Sequence, residues 1–247
     1  MQLPTVLTIT HSPTESVARL GGWLSGAGVL LDVRSPYDES PLPSLRGFAG
    51  LLVMGGAMGA YDDDVAPWLP ATRDLLRDAV AQQVPTLGIC LGGQLLAAAL
   101  GGQVKPADEG PELGPALVAK RDVSAGDPLF GPVPFTPDVL QWHWDEITTL
   151  PAGATLLASS SRYANQAFRV GDTAWGLQFH IETTPDMVRS WAEYDRDRLA
   201  AEGWDVDAAL ARWDLDALHA DLEEVWQPFA ARFAEVVRVH SLRARDA

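Results

Sequence analysis

Over the first hundred residues, short apolar runs of strand length alternate with segments whose apolar residues recur every three or four positions. Thr5 to Thr10 (TVLTIT) is β-branched and closes at His11, Ser12 and Pro13, which predicts a strand followed by a turn. Helical spacing over Thr14 to Leu24 sets Val17, Leu20 and Leu24 on one face. Val29 to Val33 and Gly50 to Met54 read as the second and third strands. Pro67 to Ala81 reads as a helix and Pro85 to Ile89 as the fourth strand. Leu95 to Leu100 reads as a further helix, closed by Gly101 and Gly102. Strands alternating with helices at this spacing predict an α/β fold, a mostly parallel central sheet flanked by helices. Functional residues in such sheets collect in loops at the carboxyl ends of strands. Gly55-Gly56 and Cys90 each follow a predicted strand, so both fall on the same edge of the fold.

The pattern changes after Val104. Ala116–Lys120, Val139–Trp144, Thr155–Ala158, Gln166–Val170 and Ala174–Phe179 fit strands among frequent turns, with a tight hairpin at Gly171-Asp172. This predicts antiparallel strands added to the same sheet. From about residue 186 the chain reads as helical. Leu215, Leu218, Leu222, Val225, Phe229, Phe233 and Val236 form one apolar stripe, with Pro228 expected to kink it and Ser241 to Ala247 expected to fray. The division expected is an α/β domain over 1–185 and a C-terminal helical extension over 186–247 packed on it. The stripe suits docking on its own chain or a homodimer interface.

Composition narrows the partners. The 247 residues carry 18 basic against 33 acidic side chains, a net charge of -15, and only two lysines, Lys105 and Lys120. Such a surface repels phosphate backbones, so no nucleic acid is expected. No run of 18 apolar residues exists, so no membrane span is expected. Met1 to Thr10 has neither a basic start nor a long apolar run, so it does not read as a secretory leader. The single cysteine, Cys90, excludes an intrachain disulfide and suits a cytoplasmic setting.

That cysteine lies in G-I-C-L-G-G-Q, residues 88–94, where a strand enters and a helix leaves. This is the shape of a nucleophile elbow, in which a sharp turn lifts one side chain above the sheet. Gly88 and Gly92 would permit the close approach of strand and helix. The helix N-terminus would favour a thiolate, and the Leu91 N–H would point to where an oxyanion develops. The competing reading is an inert buried thiol. A thiol nucleophile needs a base, and the base an orienting group. His180 ends a strand and has Glu182 two residues on, on the same side of an extended segment. His11 ends the first strand with only Glu15 nearby, and His219 and His240 read as surface or packing residues of the tail. Gly55-Gly56 can present backbone N–H groups to an anion, or be a plain turn. Asp62-Asp63-Asp64 reads as a solvated or capping run, and no metal and no cofactor are expected.

Together V-M-G-G (53–56), G-I-C-L-G-G-Q (88–94), N-Q-A-F (165–168) and W-G-L-Q-F-H-I-E (175–182) resemble the class I (triad) glutamine amidotransferases, whose sheet is flavodoxin-like. G-G-A-M-G-A-Y-D-D (55–63) brings the free-standing, GMP-synthase-like members nearest. The resemblance implies a triad of Cys90, His180 and Glu182 that hydrolyses a γ-glutamyl amide through a γ-glutamyl thioester and releases ammonia. It implies an oxyanion hole at Gly55, Gly56 and Leu91. It places Gln94, His143, Trp144 and Asp145 around the substrate. It also implies glutamine or a γ-glutamyl small molecule as substrate, and a separate synthetase subunit as ammonia acceptor. The family commonly has proline between the histidine and the glutamate, where this chain has Ile181. Two alternatives accompany this reading. One is a γ-glutamyl peptide or amine hydrolase with the same triad. The other is a non-catalytic amidotransferase-like binding or regulatory module.

Overall fold

The structure, a computed structural model, describes residues 3–246. Met1 and Gln2, at the start of the segment read as lacking a leader, and Ala247, at the end of the segment expected to fray, lie outside the described residues. In chain order the elements are β1 (Thr5–Ile9), α1 (Ala18–Gly26), β2 (Leu30–Arg34), β3 (Gly50–Val53), α2 (Leu69–Ala81), β4 (Thr86–Ile89) and α3 (Leu91–Ala99). Then come β5 (Gln103–Pro106), β6 (Glu112–Leu117), β7 (Ala119–Lys120), β8 (Asp138–His143), β9 (Asp145–Thr149), β10 (Thr155–Ser159), β11 (Ala167–Val170) and β12 (Ala174–Leu177). Four helices follow: α4 (Pro185–Tyr194), α5 (Arg196–Ala201), α6 (Val206–Arg212) and α7 (Leu215–Asp246).

Eight strands form one sheet in the order β2-β1-β3-β4-β12-β11-β10-β7. The first five run parallel, and β11, β10 and β7 extend the sheet antiparallel. The parallel part has the 2-1-3-4-5 order of doubly wound flavodoxin-like sheets. Two small antiparallel pairs, β5 with β9 and β6 with β8, stand beside it. The alternation of strand side chains separates two cores. Val6 and Leu52 face α1 and α7, while Leu7, Leu51 and Val53 face α2 and α3.

Several boundaries differ from the sequence pattern. Helix α1 starts at Ala18, not Thr14, because the Ser12 hydroxyl binds the Thr14 hydroxyl and N–H, and Glu15 N–H donates to Ser12 O. These local bonds hold a turn where the apolar spacing alone suited a helix. Helix α3 starts at Leu91, four residues before the expected Leu95, directly after the turn at Cys90. β12 ends at Leu177 rather than Phe179, and β8 covers Asp138–His143 rather than Val139–Trp144. β5 and β9 were not expected as strands. Gly171, at φ +57, turns the expected hairpin between β11 and β12.

The tail stripe is consumed inside the chain. Leu222, Trp226, Phe229 and Phe233 are fully buried against the sheet, and Trp226 Nε1 donates to Asp138 O at 2.9 Å. Aromatic edges lock this contact, with Phe130 against Phe229 at 5.4 Å. Pro228 lies inside α7 without ending it, and the helix runs on to Asp246 instead of fraying from Ser241. Among the described residues no helix is long and apolar enough to cross a membrane.

Glycine is required where α3 meets the sheet. A Cβ on Gly92 would lie 2.0 Å from the Val53 carbonyl oxygen, which is backbone and cannot yield. Gly92→Ala is expected to cost about 3 kcal/mol, lowering the thermal midpoint by roughly 6–12 °C. Gly22→Ala, on a helical position with nothing within 4 Å, should hold or raise it. Equal melting curves for the two variants would show that the close approach is not as tight as described.

Candidate active site

Cys90 sits between β4 and α3 with φ 50° and ψ -108°, a left-handed conformation rarely held by residues with a side chain. Its N–H donates to Leu177 O at 2.7 Å, and its carbonyl accepts from Gln94 N–H at 2.9 Å. Such strain costs about 1–3 kcal/mol and persists only where the surroundings enforce it. Three glycines do so. A Cβ on Gly88 would meet the Gly92 backbone at 2.5 Å, and one on Gly93 the Leu177 carbonyl at 2.6 Å, beside the Gly92 contact already described. The thiol is 6% exposed and looks into a cavity. It lies 3.8 Å from Trp142 O and 3.9 Å from Gln178 Nε2.

The histidine comes from the segment after β12. His180 and Leu140 exchange backbone hydrogen bonds at 2.8 and 3.2 Å, which fixes this segment on β8. The His180 Nδ1–Glu182 Oε1 distance is 2.7 Å, so Nε2 is the nitrogen left for Cys90. Burial works against a charged ring. The charge of Glu182 and the charge and hydrogen bond of Cys90 outweigh it and raise the His180 pKa well above the usual value. The second Glu182 oxygen accepts the Ile181 N–H at 2.9 Å. Proline at 181 would lack that donor, so the departure from the family pattern gives the carboxylate an additional fixed bond. The Trp191 ring packs on His180 with centroids 4.8 Å apart.

The cavity encloses about 540 Å³ and brings together Gly56, Cys90, Gln94, His143, Trp144, Asp145 and His180. Gly55, Leu91 and Glu182 are buried just behind its wall. Gln94 Nε2 donates to Asp145 O and Gln178 Oε1, each at 3.2 Å. His143 is held at both nitrogens, by Asp145 O at 2.9 Å and Glu112 Oε2 at 3.1 Å. Burial raises the Glu112 pKa, but hydrogen bonds from His143, Ser160 and Gln166 outweigh it and leave the carboxyl more acidic than usual. The Asp145 pKa is raised, first by burial and then by the charge of Asp62. Asp62 itself caps Gly59 N–H, and Asp63 forms a two-pronged pair with Arg73, so the aspartate run divides between capping and pairing.

The sequence reading missed the far wall. Trp191 and Tyr194 of α4, Asp195, and Arg198 of α5 line the cavity, and the Arg198 guanidinium stacks 4.0 Å from the Trp144 ring. Thr184-Pro185 marks the start of α4, and the Thr184 hydroxyl accepts from Met187 N–H. That signal locates the helix, but only the fold shows what it faces. Glu15 also lines the cavity, with its pKa raised to about 7 by burial. His11 stands behind the wall, accepts a bond from Trp68 Nε1 at 3.0 Å, and is kept neutral by burial with a pKa lowered to about 4. His219 is a packing residue between Thr183 and Leu215 O.

Comparison with known proteins identifies the family and the fold. Residues 24–190 match the family described as glutamine amidotransferase class-I. A GMP synthase [glutamine-hydrolyzing] of Thermomicrobium roseum is 41% identical over 149 residues, 60% of this chain and 26% of that protein. Gamma-glutamyl peptidase 4 of Arabidopsis thaliana is 32% identical over 146 residues, 58% of this chain and 57% of that protein. The chain thus spans about a quarter of the first relative and just over half of the second. A crystal structure of a glutamine amidotransferase from Thermotoga maritima superposes with a TM-score of 0.83 at 29% identity, covering 95% of this chain and all of the other.

The Glu182–His180 bond has a measurable consequence. A histidine whose folded pKa is raised adds stability that is complete below about pH 6.5. That stability is lost as pH rises through the folded value. Glu182→Gln is expected to move the His180 ring titration, followed by NMR, to lower pH and to shrink this alkaline loss. An unchanged titration would show that the carboxylate does not hold the ring proton.

Proposed function

The chain belongs to the glutamine amidotransferase class-I family, and from that premise we propose that it hydrolyses a γ-glutamyl amide with Cys90, His180 and Glu182 as a triad. The observation that carries this reading is Cys90, held at positive φ, on the wall of the same cavity as a histidine whose Nδ1 lies 2.7 Å from a buried carboxylate. Nucleophile, base and orienting group follow in that order. The Cys90 thiolate attacks the γ-carbonyl carbon while the thiol proton rests on His180 Nε2. As the C–N bond breaks, that proton passes to the departing nitrogen and a γ-glutamyl thioester remains on Cys90. His180 then takes a proton from water, which attacks the thioester and frees glutamate.

The Leu91 N–H, at the open N-terminus of α3, and the Gly55-Gly56 loop supply donors for the oxyanion. Gln94 and the His143–Asp145 segment hold the glutamyl head, with the Asp145 carboxylate suited to its ammonium group. Glutamine is the simplest substrate, and its ammonia would pass to a separate synthetase subunit in the cytoplasm, where a lone thiol stays reduced. A γ-glutamyl peptide or amine is the second reading. The cavity extends past the triad along α4, leaving room for a nitrogen substituent, and the similarity to a gamma-glutamyl peptidase favours it.

Cys90→Ser is expected to reduce hydrolysis of glutamine or γ-glutamyl amides by on the order of 10³-fold or more. Mass spectrometry of the acid-quenched parent enzyme should find one γ-glutamyl group on Cys90. Parental turnover by Cys90→Ser would overturn the triad. A parent silent towards glutamine and all γ-glutamyl compounds tested would favour a binding or regulatory module.

A further inference from the structure

Three carboxylates on the cavity lining take no part in the proposed chemistry, and two of them are engaged: Asp62 accepts from Gly59 N–H and Asp195 from Trp142 Nε1, which leaves Glu15. The turn that carries it is held from both sides: Glu15 N–H donates to Ser12 O, and Trp191 Nε1 donates to Thr14 O at 3.3 Å. Trp191 in turn packs on the His180 ring. Glu15 lines the cavity, and its Oε2 is sealed from solvent without a hydrogen-bond partner. Gly55 makes the placement possible. A Cβ there would lie 2.9 Å from Glu15 Oε2 and 3.2 Å from His180 Cε1, so carboxyl and imidazole crowd the same point. The charged groups acting on Glu15 are His180, Glu182 and Asp195, and no arginine or lysine is among them.

We infer that Glu15 receives the departing nitrogen: its ionised carboxylate accepts an N–H bond from the leaving amine on the His180 side of Cys90, making this a subsite for amine leaving groups. This rests on the hydrolytic reading above and deepens it. The balance is simple. The C–N electron pair leaves with the nitrogen, the His180 Nε2 proton joins it, and the acyl carbon stays on Cys90. The ring thereby loses its charge, the oxyanion collapses to the thioester carbonyl, and the amine departs neutral with its N–H groups free to donate to Glu15. An unpaired buried carboxylate costs the fold stability, which a structural role alone would not favour. Burial first, then the charges of Glu182 and Asp195, raise the Glu15 pKa to about 7, against the opposing charge of His180. The carboxylate's cost grows as pH climbs from about 4.5 towards 7 and is full above that.

The test compares an amide with an ester. L-glutamine, or a γ-glutamyl anilide if glutamine is not turned over, is the amide. The γ-methyl ester of L-glutamate, whose leaving oxygen has no N–H to offer, is the ester. Glu15→Gln should lower kcat/KM for the amide by about 10- to 100-fold, the loss of one charge-assisted hydrogen bond. It should change the ester by less than about threefold, and it should raise the thermal midpoint above pH 7. The parent enzyme provides an arm that needs no variant: its amide kcat/KM should carry a limb rising through about pH 7 that the ester profile lacks. Parallel losses on amide and ester, an unchanged amide rate, or superimposable parental pH profiles would overturn the assignment. A parent that cleaves the ester but no amide would do the same. A parent inert towards both would instead remove the hydrolytic reading on which it rests.

Discussion

The contact between α3 and the sheet is the constraint from which the site follows. Backbone meets backbone where Gly92 lies on Val53, Gly93 on Leu177 and Gly88 on Gly92. Only that approach allows a chain leaving β4 to enter a helix after one residue, and that residue is Cys90 at positive φ. The same approach aims the open N-terminus of α3 at the cavity and sets the Gly55-Gly56 loop beside it. The strain at Cys90 is thus held by two neighbouring parallel strands and cannot relax without lifting the helix. The rest of the cavity is built around this point, with His180 pinned to β8 by its backbone and to Glu182 by its ring.

The cavity handles its charges in two ways. Glu182 is wholly buried yet satisfied, with one oxygen on the His180 ring and the other on the Ile181 N–H. Glu112 is likewise satisfied, by His143, Ser160 and Gln166. Both hold other groups still, which suits the rigid side of the site. Glu15 and Asp145 are different, since burial raises the pKa of each. Unspent carboxyl groups on the wall of a cavity are where a polar ligand can replace water as partner. The fold itself thereby separates framework from working surface.

How far the sequence reveals this depends on whether the signal is local. The elbow was legible because strand, cysteine, glycine spacing and helix are contiguous, and His180–Glu182 because two residues in extended chain share a side. The parallel order was legible from the alternation of apolar runs. Helix α1 was placed too early because apolar spacing cannot register the Ser12–Thr14 bonds that hold the preceding turn. Trp191, Asp195, Arg198 and Glu15 carry no local signature at all. Trp191, Asp195 and Arg198 belong to the site because α4 and α5 fold back across the carboxyl edge of the sheet, and Glu15 because the turn after β1 meets that return. The helical extension after residue 186 supplies a wall of the cavity.

The burial of α7 also governs the order in which the molecule can be completed during synthesis. The sheet face formed by Val6, Leu52, Leu87 and Ile89 is covered by Trp226, Phe229 and Phe233, which a ribosome makes more than two hundred residues after β1. Until those aromatic residues emerge, one side of a finished parallel sheet lacks the α7 part of its cover. Such surfaces attract other nascent chains and chaperones. The long terminal helix therefore acts as a late closing step, and a chain stalled before Trp226 would display the elbow on a half-dressed sheet.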